Sequence, residues 1–203
     1  MFRADPVPDG DLVRMLDAAR MAPSGGNLQP WHFLVVRTPS KIERIREVIT
    51  EGLEELPRQM ADSRLTRAET QTLVNRFRTF SLFFAAAPTV ILALMQQSPF
   101  KPPLLEYLTG SGRTTDEAEA ELGFVEVQGV AAAIENLLLT AHALGYGACW
   151  MNIPFFARKG LYREFDIQAP WDLLAMVPVG LPDRHSMPSP GHRKPLDQIV
   201  TFV

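Results

Sequence analysis

Apolar residues recur along most of this chain at the spacing of helix faces, and a few short apolar runs lie between them. The helical spacing predicts helices at residues 11–22, 40–49, 66–84, 127–144 and 154–165. Apolar runs bounded by turn residues predict buried strands at 33–36, 89–95, 146–151 and 173–180. Helices interleaved with few strands indicate an α+β domain, and the strand directions do not follow from this pattern.

Residues at the ends of the predicted helices support these boundaries. Asp9 can cap the first helix, and the segments Ser40–Glu43 and Thr66–Glu69 both have the spacing of a capping box. Pro88 is expected to stop the third helix, and Gly145 is expected to end the fourth as its C-cap.

Three segments have patterns that suggest a special position in the molecule. Residues 127–144 are apolar almost all round, which predicts a helix at the centre of the core or at a subunit interface. Residues 96–123 contain several prolines and glycines and are expected to be irregular, so that they could form a lid. Residues 198–203 alternate enough to form an edge strand.

Length and composition indicate one domain, residues 1–203, with an ordinary globular core. The net charge of −3 gives no broad attraction to nucleic acid or to an anionic membrane, so neither partner is expected. Cys149 is the only cysteine, which excludes an internal disulfide and favours a reducing compartment. The amino terminus carries a charge and prolines where a secretory signal needs an apolar run, and we expect a cytoplasmic protein.

The polar turn between the first helix and the first strand has the composition of a ligand-binding loop. Pro23 ends the helix, and Gly25 and Gly26 permit positive φ and close approach of the backbone to another molecule. Side chains that both donate and accept hydrogen bonds are Ser24, Asn27 and Gln29. Such a turn suits a planar heterocycle, and the alternative is that these side chains only satisfy their own backbone.

Nucleophilic and metal-dependent mechanisms have little support in the sequence. The histidines are scattered, without metal-ligand spacing to a cysteine or carboxylate: His32, His142, His185 and His192. His142 is expected to be a core or interface residue, and Cys149 a small buried hydrophobe. Because a strand-linked G-x-G-x-x-G and a P-loop are also missing, a bound cofactor is expected to carry the chemistry.

Four segments together resemble the signature of the nitroreductase family. The most specific is PSGGNLQPWHF at residues 23–33, and weaker matches follow in the family's order at 136–150, 178–182 and 192–200. Members of this family are homodimeric flavoproteins that bind FMN at the subunit interface. The resemblance implies a nitroreductase-like fold with a central mixed, mostly antiparallel sheet flanked by helices. It also implies an intertwined homodimer whose tail, residues 198–203, reaches the partner subunit.

The resemblance assigns residues to the cofactor. It implies that one subunit contacts FMN through Pro23, Ser24, Gly25 and Asn27. In the other subunit, the backbone facing the N5 and O4 edge of the flavin would be that of Met151, Asn152 and Ile153. Arg193 matches the family's basic position for the FMN phosphate or the flavin N1–O2 edge, whereas Lys194 is expected to be a surface charge.

One departure from the family pattern concerns the phosphate. The family usually opens with an Arg-Arg-Ser segment that holds it, and this sequence begins Met-Phe-Arg-Ala-Asp-Pro. We expect one of three explanations: translation starts upstream of the sequence given, FMN is held more weakly, or other bases substitute, such as Arg3, Arg76 and Arg78.

The activity implied is ping-pong hydride transfer from NAD(P)H, through FMN, to an electron-poor small molecule such as a nitroaromatic or quinone. Candidates for stacking on that substrate, with core packing as the alternative, are Phe100, Tyr107 and Phe124. No side chain need act as acid or base if water supplies protons. Two other functions stay open: flavin fragmentation or dehalogenation on the same fold, and a non-catalytic binding module that has lost tight FMN.

Overall fold

The computed structural model describes residues 2–183 and 191–203. Its central sheet has five strands: β1 Trp31–Val36, β2 Thr89–Gln96, β3 Gly147–Ala148, β4 Met151–Asn152 and β5 Trp171–Gly180. The order is β1-β2-β5-β3, β4 also pairs with β5, and every pairing is antiparallel. The predicted α+β class with an antiparallel sheet is therefore confirmed.

Helices cover both faces of this sheet. They are α1 Asp9–Arg20, α2 Pro39–Gln59, α3 Arg67–Ser81, α4 Lys101–Gly110, α5 Thr115–Leu122, α6 Val125–Ala143 and α7 Arg158–Glu164. Short 3₁₀ turns lie at Gly25–Asn27, Phe83–Ala86 and Leu196–Gln198. Among the described residues, no single helix is long and apolar enough to cross a bilayer, and only α5 and α6 taken together, across a 46° bend, meet that criterion.

The two faces of the sheet carry separate apolar cores, because successive side chains of a strand point to opposite faces. On β2, Val90, Leu92 and Leu94 pack with α2 and α7. Ile91 and Ala93 of the same strand pack on the other face with α1 and α6. The prediction that the apolar helix α6 lies in the core is confirmed, since its residues Val130, Ile134 and Leu137 are fully buried.

Two of the predicted helix starts are wrong in detail. Asp9 is the first residue of α1 rather than its cap, because Pro8 takes the N-cap position and the Asp9 carboxylate pairs with Arg37 instead. Helix α2 begins at Pro39, where a proline costs no hydrogen bond, so Ser40 lies inside the helix and forms no capping box.

Two other helix ends agree better with the sequence. The capping box between Thr66 and Glu69 is confirmed at the start of α3. That helix ends at Ser81 and continues into a 3₁₀ turn, so the predicted stop at Pro88 lies too far along the chain. At the end of α6, Gly145 has φ +85° and donates to the carbonyl of His142, as predicted for a glycine that ends a helix.

Most of the segment 96–123 is helical, so the expectation of irregular structure is wrong, while its role as a lid stays a prediction. Pro99 precedes α4, and Pro102 and Pro103 lie in its first turn, where backbone N–H groups have no helical partner in any case. A second capping box, between Thr114 and Glu117, starts α5. Gly112 joins the two helices with φ +96°, and Phe124 adopts φ +51° before α6 begins.

Three predictions for the last third of the chain also need correction. The strand predicted at 146–151 is divided into β3 and β4, and the helix predicted at 154–165 is only the short α7. The strand predicted at 198–203 is not formed within the protomer, where residues 199–203 have no regular structure. Its apolar side chains, including Ile199 and Phe202, are exposed.

Candidate active site

The predicted ligand turn is held in shape by its own hydrogen bonds. The Ser24 hydroxyl accepts the backbone N–H of Gln29 at 2.9 Å, and the N–H of Asn27 bonds the Ser24 carbonyl at 3.0 Å. Gly26, Asn27 and Gln29 all have positive φ, which turns the chain sharply between α1 and β1. Ser24 thus satisfies its own backbone as an acceptor, while its hydroxyl hydrogen and the exposed Asn27 side chain stay available to a ligand.

The turn rests directly on the first two turns of α6. A side chain on Gly129 would place its Cβ 3.2 Å from Cβ of Ser24 and 3.3 Å from Cγ of Pro30. A Cβ on Gly25 would lie 3.4 Å from Cβ of Val125. Two glycines on facing segments therefore set how closely the turn approaches the helix. Sequence reasoning missed Gly129, although a glycine inside a strongly apolar helix is a signal of close packing.

Two of the three predicted substrate aromatics meet beside this turn. Phe100 and Phe124 line a cavity of about 150 Å³ that also includes Val125, the residue facing Gly25. Tyr107 lies outside this lining and is 72% exposed. The ammonium of Lys101 lies 6.0 Å from the centre of the Phe124 ring, which places a cation near its face.

A buried glutamate joins this cavity to α6. Glu126 is 3% exposed, and its carboxylate accepts the backbone N–H of Ser98 at 2.8 Å. This bond ties the chain just before α4 to the first turn of α6, and so fixes the α4–α5 hairpin beside the ligand turn. Glu126 was not among the residues predicted from the sequence, although a carboxylate in so apolar a helix is a signal of a special role.

The other predicted cofactor segment lies at a larger cleft. Met151 and Asn152 form β4 against Met176 and Ala175 of β5. With Ile153 they line a cleft of about 450 Å³ whose other residues include a group of aromatic side chains, Phe77, Phe80, Phe83, Trp150 and Phe155. The prediction did not include these aromatics, because α3 and the segment after β4 are distant in sequence.

Cys149 lies in the same cleft but is not set up as a nucleophile. Burial raises the pKa of its thiol above the usual value, so the sulfur is protonated near neutral pH. The thiol approaches the carbonyl of Trp150 at 3.7 Å, a contact of a weak donor. Cys149 is only partly buried, which corrects the expectation of a small buried hydrophobe.

One protomer does not bring the two cofactor segments together. The ligand turn packs on α6 and leads into β1, whereas Met151 and Ile153 belong to the core on the opposite face of the sheet. Strands β1 and β4 are separated by β2 and β5, which is about 14 Å for three strand spacings. Within one protomer the two segments therefore lie on opposite faces of the sheet, three strand spacings apart.

The basic residues named from the sequence are not among the described residues that line the 450 Å³ cleft or the 150 Å³ cavity. Arg193 and Lys194 are exposed, and the Arg193 guanidinium donates to the carbonyls of Gly191 and His192 at 3.3 Å. Arg3 pairs with Asp5 at 2.9 Å, and Arg76 lines a shallow surface depression on α3.

The histidines form no metal site among the described residues. The ring of His32 lies 5.2 Å from that of Trp171. His142 is exposed in the protomer, so its expected place in the core is wrong, and an interface position stays a prediction. His185 falls outside the described residues.

The architecture, a small antiparallel sheet between two helical layers, is one that solved flavoproteins share. A BluB-like flavoprotein from Clostridium difficile 630 superimposes with a TM-score of 0.81 and 31% identity, over 100% of this chain and 92% of that one. Iodotyrosine deiodinase, solved with FMN and 3-iodo-L-tyrosine, has the same fold at a TM-score of 0.67 and 23% identity, over 100% and 93% of the two chains.

Sequence comparison then gives the family. The model described as Nitroreductase family matches residues 1–181, and the chain belongs to that family. A relative from Archaeoglobus fulgidus, provisionally named NADH dehydrogenase/NAD(P)H nitroreductase, is 30% identical over 159 residues, or 78% of this chain. The chain covers 64% of the length of that relative.

Proposed function

We propose that the chain is an FMN-dependent oxidoreductase that passes two electrons from NAD(P)H to an electron-poor small molecule, such as a nitroaromatic or quinone. The observation that carries this proposal is the aromatic cleft at Met151–Ile153, in a chain of the nitroreductase family. The cleft has room for a flat ring system, and its edge strand offers backbone amides. We expect the protein to work in the cytoplasm.

The residues present fit FMN in chemical terms. From one subunit, contacts to the ring would come from the turn residues Pro23, Ser24, Gly25 and Asn27. The backbone of Met151, Asn152 and Ile153 in the other subunit would meet the flavin N5 and O4 edge. Arg193 would bind the phosphate or the N1–O2 edge, since its guanidinium is exposed and its bonds to backbone carbonyls are long.

FMN, when bound, supplies a ring that accepts hydride from NAD(P)H and returns the electron pair to an acceptor. The protein contributes position and polarity: backbone N–H groups stabilise negative charge at the ring edge, and the aromatic walls exclude water. Neither role needs an acidic or basic side chain in the cleft. Phe100, Tyr107 and Phe124 would approach the substrate from the side of the ligand turn.

We propose that the protein is a homodimer, because the two cofactor segments lie on opposite faces of the sheet within one protomer. The exposed apolar side chains of the tail, among them Ile199, Val200 and Phe202, are the type that a partner subunit covers. We propose that residues 198–203 cross to the second subunit, where their backbone can pair with another segment.

The test is a visible spectrum of the purified protein with added FMN, followed by anaerobic NADH or NADPH. We expect absorbance near 450 nm that bleaches on reduction, and a dimer in sedimentation. Arg193→Gln should weaken FMN binding about ten- to a hundredfold, because a charge-assisted bond is lost. Lys194→Gln is the matched control and should bind FMN like the wild type. Colourless protein that stays inert with FMN would refute the proposal and favour the non-catalytic module.

Reductive dehalogenation is the second candidate, because the structural neighbour described above holds 3-iodo-L-tyrosine together with FMN. Iodide release from 3-iodo-L-tyrosine by the reduced protein would favour it over nitro or quinone reduction. Flavin fragmentation is separated from both by admitting air to the reduced protein, since its products differ from simply reoxidised FMN.

A further inference from the structure

We propose that the cavity of about 150 Å³ at Phe100 and Phe124 binds a positively charged amino group of the small-molecule acceptor, and that Glu126 is the residue that recognises this group. Placing the amino group on an acceptor rests on the proposed function, whereas the binding of a protonated amine does not. The cavity is smaller than the roughly 300–1,000 Å³ of sites that enclose a whole small molecule, so it suits a head group.

One carboxylate oxygen of Glu126 is committed to the fold, and the other is not. Oε1 accepts the backbone N–H of Ser98 at 2.8 Å, whereas Oε2 has no hydrogen-bond partner among the described residues. Oε2 is not sealed inside the protein either, because in the described part of the chain the only fully enclosed side-chain polar atom without a partner is Thr89 Oγ1. Since Glu126 lines the cavity, this oxygen is open to a ligand there.

The Glu126 carboxylate also lacks a cationic partner. Its residue is 3% exposed, and within the ranges that the structure describes it forms no ion pair with a lysine or arginine. Its place in the first turn of α6 favours the ionised form, because the free N–H groups of that turn carry partial positive charge. A buried carboxylate without a paired cation keeps a desolvation cost that a bound ammonium group would offset.

The lysine in the same cavity does not supply that cation. The Lys101 ammonium pairs with Glu119 at 3.4 Å and lies 6.0 Å from the centre of the Phe124 ring. Because Lys101 and Glu119 offset each other, Glu126 gives the cavity one negative charge in excess. A cationic head group therefore gains more from this cavity than a neutral or anionic one.

The aromatic side chains of the cavity suit the same head group. Phe100 and Phe124 are both exposed, and the faces of aromatic rings attract cations. Val125, also in the lining, faces Gly25, so the cavity lies next to the turn proposed to contact FMN. An acceptor anchored by its amino group would therefore have its electron-poor ring close to that turn.

The first experiment measures binding by equilibrium dialysis, with and without added FMN. The probes are 4-nitrobenzylamine, 4-nitrobenzyl alcohol and 4-nitrobenzoate, which share a nitrophenyl ring and are cationic, neutral and anionic at neutral pH. We expect the amine to bind about tenfold more tightly than the alcohol, and the benzoate to bind most weakly.

Glu126→Gln is the decisive variant, because its amide oxygen can still accept from Ser98 while the negative charge is removed. It should weaken amine binding about tenfold and leave alcohol binding within about twofold of the wild type. Glu135→Gln is the matched control. It removes the same charge from an exposed position of the same helix, outside the cavity, and should bind all the probes like the wild type.

A second variant tests the sign of the charge effect. Lys101→Met should tighten amine binding, because it removes a competing ammonium group from the cavity. Equal affinity of the wild type for the amine and the alcohol would overturn the inference, as would amine binding that Glu126→Gln leaves unchanged. The wild-type comparison needs no variant, so it decides the question even if Glu126→Gln proves unstable.

Turnover separates this inference from the proposed function. Selective amine binding without NAD(P)H-dependent reduction would keep the amine site and refute the oxidoreductase. Conversely, NAD(P)H-dependent reduction of the amine and the alcohol, with equal affinities for both, would keep the oxidoreductase and refute the amine site.

Discussion

Replacing Glu126 tests whether one buried carboxylate holds the α4–α5 hairpin on α6. In Glu126→Ala, the Ser98 N–H loses its 2.8 Å acceptor, and Ser98 is itself buried, so water cannot readily replace that acceptor. An unsatisfied buried donor costs about 1–3 kcal/mol, and the truncated side chain leaves a void as well. The variant also removes the desolvation cost of burying a carboxylate, and this gain offsets part of the loss. We expect a net loss of about 2–3 kcal/mol in the free energy of unfolding.

Glu126→Gln is the matched variant, because its amide oxygen can still accept from Ser98 in nearly the same volume. It should lose less than about 1 kcal/mol. The assay is urea unfolding at one fixed protein concentration, since an oligomer's stability depends on concentration. Hydrogen exchange in residues 97–123 should accelerate in the alanine variant alone. Equal stability of wild type and Glu126→Ala, or equal losses in both variants, would refute this account of the carboxylate.

Three further predictions concern packing, pH and thiol reactivity. Gly160→Ala would place a Cβ 2.5 Å from Val48 Cγ1, and it should lower the free energy of unfolding by about 1–3 kcal/mol. Gly10→Ala is the control, because a Cβ there meets open space and should not lower the free energy of unfolding. Hydrogen bonds from the N-cap threonine of α3 lower the pKa of Glu69 below its usual 4.5. The stabilisation from the ionised Glu69 carboxylate is therefore complete above pH 4.5 and is lost as pH falls through the lower, folded-state pKa. Between pH 7 and pH 3, the melting temperature of Glu69→Gln should therefore fall less than that of the wild type. Burial raises the Cys149 pKa above 9.0, so alkylation by iodoacetamide should reach half its maximal rate above that pH; a midpoint below pH 8 would contradict the burial.

Local patterns in the sequence were sufficient for much of the fold. The apolar face of α6, the strands β2 and β5, and the capping box at Thr66 depend on neighbouring residues, and all three were predicted. The helices α4 and α5 were missed because prolines were taken as breakers, although in the first turn of a helix a proline removes no bond. The Thr114–Glu117 spacing in the sequence already indicated the start of α5.

Part of the candidate site could also be predicted from local sequence, and part of it depends on contacts between distant segments. The ligand turn is a local structure, so its glycines and polar side chains could be recognised from composition. The aromatic cleft depends on α3 meeting the segment after β4, and no periodicity in either segment predicts that contact. Glu126 acts through Ser98, 28 residues away in the chain, and Gly129 acts through Ser24 and Pro30 on a facing segment, so only the folded chain reveals their roles.

The sheet that separates the ligand turn from β4 also has a consequence for how the protein keeps its cofactor. If both segments bind one flavin, a single protomer supplies only half of the binding contacts. Dimerisation and FMN binding are then thermodynamically linked. Dilution of the protein at constant free FMN should then release flavin, and excess FMN should shift the monomer–dimer equilibrium toward the dimer.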